Sequence, residues 1–346
     1  KRLQGNRPWW TWPEPLRARD TARLEQLRAE AKEALEAVRF SQFVFFRQWS
    51  ALREHATQRG VLLFGDMPIF VAHDSAEVWA RPLDFDLNDD GTLRVVAGVP
   101  PDYFSATGQR WGNPHYDWAR IQADGFRWWI DRMRTQLTLF DMVRVDHFRG
   151  FEAYWEIPAE EETAIGGRWV KAPGEAFLSA LQNHFGKSLP LVAEDLGEIT
   201  PEVFELRDRF GLPGMKILQF AFDSDAENPY LPHNHESNSV VYTGTHDNNT
   251  TLGWFGEVED YVKERLHEYL GYPSEAMPWP IIRAALASRS RLAVLPLQDP
   301  LELGADQRMN IPGTQEDNWR WRFHWDMVDD GVAERLRQLS ELYGRT

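Results

Sequence analysis

The chain alternates between short apolar runs and longer stretches whose apolar residues fall three and four apart. From Asp20, an N-cap residue by type, DTARLEQLRAEAKEALEAVRFSQFVFFRQWSALREHATQRG carries Leu24, Leu27, Ala31, Leu35 and Val38 at helical spacing. That periodicity predicts one long helix, which Gly60 ends. VLLFGDMPIF follows, an apolar run that closes on Gly65, Asp66 and Pro68. Further strands are predicted in FDMVRVDHF, PLVAEDLG, GMKILQFAF, SVVYTGTHDN and RLAVLPLQD, with helical stretches over 125–140, 173–185, 201–210, 258–269 and 280–290. The opening PWWTWPEPL cannot run as a regular helix through its prolines.

Strand-then-helix units with polar residues gathered at strand C-termini predict a parallel α/β sheet covered on both faces. A closed barrel and an open doubly wound sheet both satisfy this grammar. No G-x-G-x-x-G turn follows any of the strands, which weakens a dinucleotide-binding reading. Acidic residues recur where barrel strands converge on one mouth, which favours the barrel, although the six runs are two short of a closed one. Residues 81–120, including GVPPDYFSATGQRWGNPHYDW, are rich in Gly, Pro and aromatics without periodicity. Their aromatic content argues against disorder, and a loop insertion over the barrel mouth is expected, with a cover for the barrel's side as the alternative.

Composition narrows the function classes. A chain of 346 residues with 42% hydrophobic content supports one large domain or two small ones. The net charge of −15 is spread along the chain, which argues against nucleic acid as a partner. With no cysteine, disulfides, thiolate metal sites and a cysteine nucleophile are excluded, and a reducing compartment, the cytoplasm, is expected. No apolar run approaches the ~20 residues of a membrane span, so no membrane partner is expected. No signal peptide is visible, though a chain beginning at Lys1 would not display one carried by a preceding segment. The surplus is aromatic: 16 Trp, 20 Phe and 9 Tyr. Core packing accounts for any one Trp, but the excess suits sugar rings, other stacked ligands or partner interfaces.

Candidate chemistry lies at the strand ends. Alternation in MVRVDHFRGF puts Met142, Arg144, Asp146 and Phe148 on one face and Val143, Val145 and His147 on the other. Arg144 then lies beside Asp146 and lowers its pKa, as a carboxylate nucleophile requires. A buried Arg-Asp pair that only fixes the strand meets the same pattern. In LVAEDLG, Glu194 follows an apolar run where desolvation raises a carboxyl's pKa toward that of a general acid. In YTGTHDN, His246 and Asn248 flank Asp247, and both hydrogen-bond sugar hydroxyls or orient a carboxylate. Three acidic sites suit glycosyl transfer: a nucleophile, an acid/base and an anion near the oxocarbenium ion. His73, Asp74, Asp146, His147, His246 and Asp247 offer a competing metal set, but no helical H-E-x-x-H spacing occurs, and His147 and Asp146 face apart. No metal or cofactor is expected.

GDMPIFVAHDSAEVWA, AGVPPDYFSATGQRWGNP, VRVDHFRGFEAYWEIP, GRWVKAPGE, VAEDLGEITPEV, GLPGMKILQFAF and YTGTHDNNTTLGW together resemble the amylomaltases, the 4-α-glucanotransferases of glycoside hydrolase family 77, in order along the chain. The resemblance implies a (β/α)8 TIM barrel of the α-amylase type, here one catalytic domain over 1–346 lacking its first strands, with 1–45 the remnant of a helical insertion. It also implies retaining transfer between α-1,4-glucans and maltooligosaccharides. Asp146 resembles the nucleophile, Glu194 the acid/base and Asp247 the residue that holds the donor's hydroxyls and stabilises the transition state. Arg144 would orient Asp146, His246 would bind sugar beside the scissile bond, and Asp66 would line the site. Tyr103, Phe104, Gln109 and Trp111 fall in the family's loop over the acceptor sites. The family motif usually has Asp where this chain has Asn249, a change expected to tune activity instead of abolishing it. A glucan hydrolase using the same carboxylates, or a non-catalytic glucan-binding module, are the alternatives.

Overall fold

In the computed structural model, which describes residues 1–101, 105–197, 199–314 and 316–345, the chain divides into two units, Lys1–Leu212 and Pro213–Thr346. In chain order the first contains α1 (Glu14–Arg17), α2 (Thr21–Glu30), α3 (Lys32–Thr57), β1 (Phe64–Pro68), α4 (Ala76–Ala80), β2 (Val95–Val99), β3 (Gln109–Arg110), α5 (Trp118–Ala123) and α6 (Arg127–Leu139). It continues through β4 (Met142–Asp146), β5 (Ala153–Pro158), β6 (Arg168–Lys171), α7 (Gly174–Phe185), β7 (Leu191–Ala193) and α8 (Pro201–Arg209). Asp20 caps α2 by accepting from the Arg23 amide, as expected of its residue type. The long helix predicted from Asp20 is nevertheless two, because Ala31 leaves helical geometry at φ −106°, a break that neither Gly nor Pro marks in the sequence.

Strands β1, β4 and β7 form a parallel sheet in that order. Asp66 lies opposite Arg144 and Pro68 opposite Asp146, while Val145 lies opposite Ala193. Glu194, one residue beyond β7, therefore falls at the same end of the sheet as Asp146, with the Asp66–Arg144 pair two residues before that end. Val143, Val145, Val192 and Ala193 are buried, which explains why these strands read as continuous apolar runs.

A second sheet, in the order β3-β2-β5-β6, is antiparallel, and two of its strands, β2 and β3, lie within 81–120, where the sequence shows no periodicity. Its strands are short, and β2 closes on β3 through a glycine that a periodicity reading passes over. A Cβ at Gly98 would lie 2.1 Å from the Gln109 carbonyl oxygen, so only glycine permits that strand approach. Behind the parallel sheet, Trp118, Trp129, Phe151 and Phe177 form an aromatic core, with Trp129 and Phe177 ring centroids 5.1 Å apart. Trp9 and Trp128 are buried in the same cluster. Others stay accessible: Trp111, Trp169, Trp319 and Trp325 are exposed.

The second unit contains β8 (Gly214–Ile217), β9 (Ser239–Tyr242), α9 (Thr251–Glu257), α10 (Asp260–Tyr269), α11 (Trp279–Ala287), β10 (Leu292–Val294) and α12 (Asp330–Leu342). Strand β9 is central, parallel to both β8 and β10. Leu218, Val241, Leu266, Ile281 and Ala285 form its core. Buried Asp299 accepts from the Thr243 hydroxyl at 2.5 Å, the Thr251 amide at 2.9 Å and the Thr251 hydroxyl at 2.7 Å, tying the end of β9 to the start of α9. The turn carrying His246 and Asp247 is thus anchored on both sides. Every strand predicted from an apolar run forms, and the observed pairings within the two three-stranded sheets are parallel. Among the described residues no helix is long and apolar enough to cross a membrane.

Candidate active site

At the C-terminal end of the first parallel sheet, the Arg144 guanidinium joins two carboxylates. Its Nε and Nη2 donate to the two oxygens of Asp66, each at 2.9 Å, and Nη2 also donates to Asp146 Oδ1 at 2.9 Å. The Arg144 side chain is 9% exposed, whereas those of Asp66 and Asp146 are 41% and 44% exposed. The cation is therefore buried beneath two accessible anions. Burial opposes the Arg144 charge, but the hydrogen bonds and charge of Asp66, with the charges of Asp146 and Glu194, outweigh it and hold its pKa above the ordinary value. Strand alternation placed Arg144 beside Asp146; the contact with Asp66 follows from register between strands.

Glu194 is held by backbone. Oε2 accepts from the His147 amide at 2.7 Å and Oε1 from the Leu196 amide at 2.9 Å. Burial, reinforced by the negative charge of Asp146, pushes its carboxyl up to about 7, against the opposing pull of the Leu196 amide, Arg144 and the His147 amide. The acid is thus poised to hold or release a proton near neutrality.

His147 takes part through its main chain. It leaves β4 in the left-handed conformation at φ 54°, and that turn accompanies its amide contact with Glu194. Its ring meets Trp111 edge-on at 4.8 Å and lies against Phe70. Burial, then the charges of Arg149 and His115, push the imidazole down to about 3. His147 is a neutral supporting residue at ordinary pH. The other metal candidates are also engaged: His73 Nε2 meets the Gly91 carbonyl at 2.8 Å under a stacked Trp10, and Asp74 pairs with Lys1. Among the described residues no group of three or more His, Asp or Glu side chains is arranged to hold a metal ion.

Gln109 and Trp111 lie at the β3 end of the antiparallel sheet, with Trp111 Nε1 donating to Gln109 Oε1 at 3.1 Å. Tyr103 and Phe104 lie outside the described residues.

In the second unit, Asp247 Oδ1 accepts from Asn310 Nδ2 at 2.6 Å, and Arg308 donates to the Asp247 carbonyl at 2.8 Å. His246 Nε2 is 3.3 Å from Asp247 Oδ2, and its ring lies 5.0 Å from that of Trp319. Asn248 turns its carbonyl oxygen back on Thr245, accepting from the amide at 2.9 Å and the hydroxyl at 2.8 Å, so this oxygen shapes the turn. Asn249 donates to Glu257 at 2.9 Å. Arg308, Asn310 and Trp319 had no role in the sequence reading. The polar-aromatic run RMNIPGTQEDNWRW was their available signal, but nothing in its spacing connects it to Asp247.

This chain matches the family described as 4-alpha-glucanotransferase, glycoside hydrolase family 77, over residues 1–328. It is 52% identical to the 4-alpha-glucanotransferase of Thermus thermophilus, covering 99% of this chain and 70% of that protein, and 51% identical to that of Synechocystis sp., covering 97% and 67%. The solved structure of amylomaltase from Streptococcus agalactiae in complex with acarbose is similar, with a TM-score of 0.96 at 35% identity over 99% of this chain and 70% of that one. These likenesses place the fold in the α/β TIM-barrel class, and the chain belongs to the 4-alpha-glucanotransferase family, glycoside hydrolase family 77.

Proposed function

We propose that the chain transfers segments of α-1,4-glucan between maltooligosaccharides by a retaining double displacement, with Asp146 as nucleophile and Glu194 as acid/base. Protonated Glu194 gives its proton to the glycosidic oxygen as Asp146 attacks C1; the C1–O bond breaks and a glycosyl ester forms. The ionised Glu194 then takes the proton of an acceptor's 4-OH, whose oxygen attacks C1 and releases Asp146. Arg144 orients Asp146, and Asp66 holds Arg144 from the other side. Asp247 and His246 engage the donor sugar, with Asn248 beside them, and Tyr103, Phe104, Gln109 and Trp111 serve the acceptor. Those substrate contacts rest on the family resemblance. The observation that carries the reading is the geometry at the sheet end: Asp146 held by the Arg144 guanidinium, and Glu194 held by the His147 and Leu196 amides in a site whose burial, with the charge of Asp146, raises its pKa.

Both units are read as one barrel domain over 1–346, with 1–45 the remnant of a helical insertion and 81–120 inserted over the mouth. A cytoplasmic location fits the cysteine-free chain.

Incubation with maltotriose tests the activity. Transfer yields glucose plus longer oligomers, with reducing ends constant, and Asp146→Ala abolishes it while glucan binding persists. Steadily rising reducing ends would indicate a hydrolase, and full activity in Asp146→Ala would refute the assignment.

A further inference from the structure

Glu194 begins the stretch 194–200 that links β7 to α8, and the next residue, Asp195, turns its side chain into the protein. Asp195 Oδ2 accepts from Arg207 Nη1 at 2.6 Å, with both side chains 3% exposed. Arg207 sits on α8, also donates through Nε to Asp208 at 2.7 Å, and lies over the Phe204 ring at 5.0 Å. A pair buried this deeply is a poor stabilising device, because both charges give up hydration. It is a good tether. It fastens the residue between Glu194 and Leu196 to a helix, and the Leu196 amide is one of the two backbone donors on the Glu194 carboxylate.

The geometry points to Asp195 and Arg207 as a positioning pair that clamps the loop after β7 so that the Leu196 amide holds Glu194 in its working orientation. This rests on the reading of Glu194 as the acid/base. The charged groups facing Glu194 are Asp146 and Arg144 of β4, with Asp66 of β1 against Arg144. Releasing the loop removes a donor that favours ionised Glu194 while those charges stay in place. The proton is then held to higher pH, and its delivery to the leaving oxygen is misaligned.

Asp195→Asn keeps the shape and removes the charge, while Arg207→Lys keeps the charge and loses the planar fork. In the full-length protein, the pH profile is measured with maltotriose and with α-maltosyl fluoride, whose leaving group needs no proton. Asp195→Asn should lose on the order of tenfold in kcat on maltotriose with KM little changed, shift the alkaline limb upward, and lose several-fold less on the fluoride. Arg207→Lys should show the same pattern, more weakly. Equal losses on both donors, tracking thermal stability with the alkaline limb unmoved, would overturn the proposal. Glu194→Gln separates the two readings. If it keeps the native rate on maltotriose, the acid/base assignment itself fails; if it is inactive while Asp195→Asn has the native profile, only the tether fails. Should Asp195→Asn not fold, Arg207→Lys decides by the same comparison of donors.

Discussion

Replacing Arg144 by Met removes a buried cation from between carboxylates while roughly keeping the length of its aliphatic stem. The guanidinium lies 2.9 Å from an oxygen of Asp146. Taking the charge centres at about 4 Å and an effective dielectric of about 20, the Coulomb attraction is about 4 kcal/mol. Asp146 is 44% exposed, so solvent screening reduces this to about 1–2 kcal/mol, or roughly one pH unit. Loss of a nearby cation raises a carboxyl's pKa. The acid limb of the rate profile, where Asp146 must be ionised, should therefore move up by roughly one unit. The alkaline limb should also move up, because the charge of Arg144 is one of the effects that keep Glu194 from rising further than about 7. The whole bell shifts alkaline, and with Asp146 no longer oriented, kcat should fall by roughly 10- to 100-fold. The assay is the initial rate of glucose release from maltotriose across pH, with circular dichroism to confirm folding. A folded variant with both limbs unmoved and kcat within about threefold of native would refute the electrostatic reasoning.

Glu194→Gln should trade activity for stability in a pH-dependent way. The folded carboxyl at about 7 lies above the ordinary glutamate value of 4.5, so folding favours the protonated form; the native protein loses up to about 3 kcal/mol as pH rises between those values. Thermal melts should show the variant stabilised at pH 8 relative to the native protein and not at pH 4; equal Tm differences at both would contradict the shift. Asn249→Asp should cost about 0.5–1 kcal/mol by setting a second carboxylate against Glu257, and Glu257→Gln should recover it in urea melts. Asn310→Ala removes a charge-assisted hydrogen bond of 2.6 Å from Asp247 and should lower kcat/KM on maltotriose by roughly tenfold or more with the fold intact; an unchanged value would show that Asp247 needs no such support.

Much of the candidate site was legible because it sits on elements with local periodicity. Apolar runs ending in Asp66, Asp146 and Glu194 could be recognised as strands, and period-two alternation alone set Arg144 beside Asp146. The antiparallel sheet escaped notice because β3 spans only Gln109–Arg110 and β2 depends on a glycine contact across to it. His147 was conspicuous as a side chain, yet its contribution is a backbone amide turned by a positive φ. Asn248 was read as a sugar ligand from its residue type and neighbours; that its carbonyl oxygen also accepts from Thr245 in the turn was not visible in that reading. Arg308 and Asn310 were passed over because contact with Asp247 joins positions 61 and 63 residues apart.

The sequence by itself determined which apolar runs become the strands of the two parallel sheets, which residues share a strand face, and the family to which their motifs belong, since these depend on near-neighbour chemistry and the fixed period of the backbone. Only the tertiary structure decided that Arg144 grips Asp66 across 78 positions, that Glu194 rests on the amide of a residue 47 positions away, and that Asp195 is tied to α8. Register between strands and the burial of a charge are settled by packing of the whole unit. The same carboxylate is an ordinary acid in water and a proton donor near neutrality once desolvated beside Asp146.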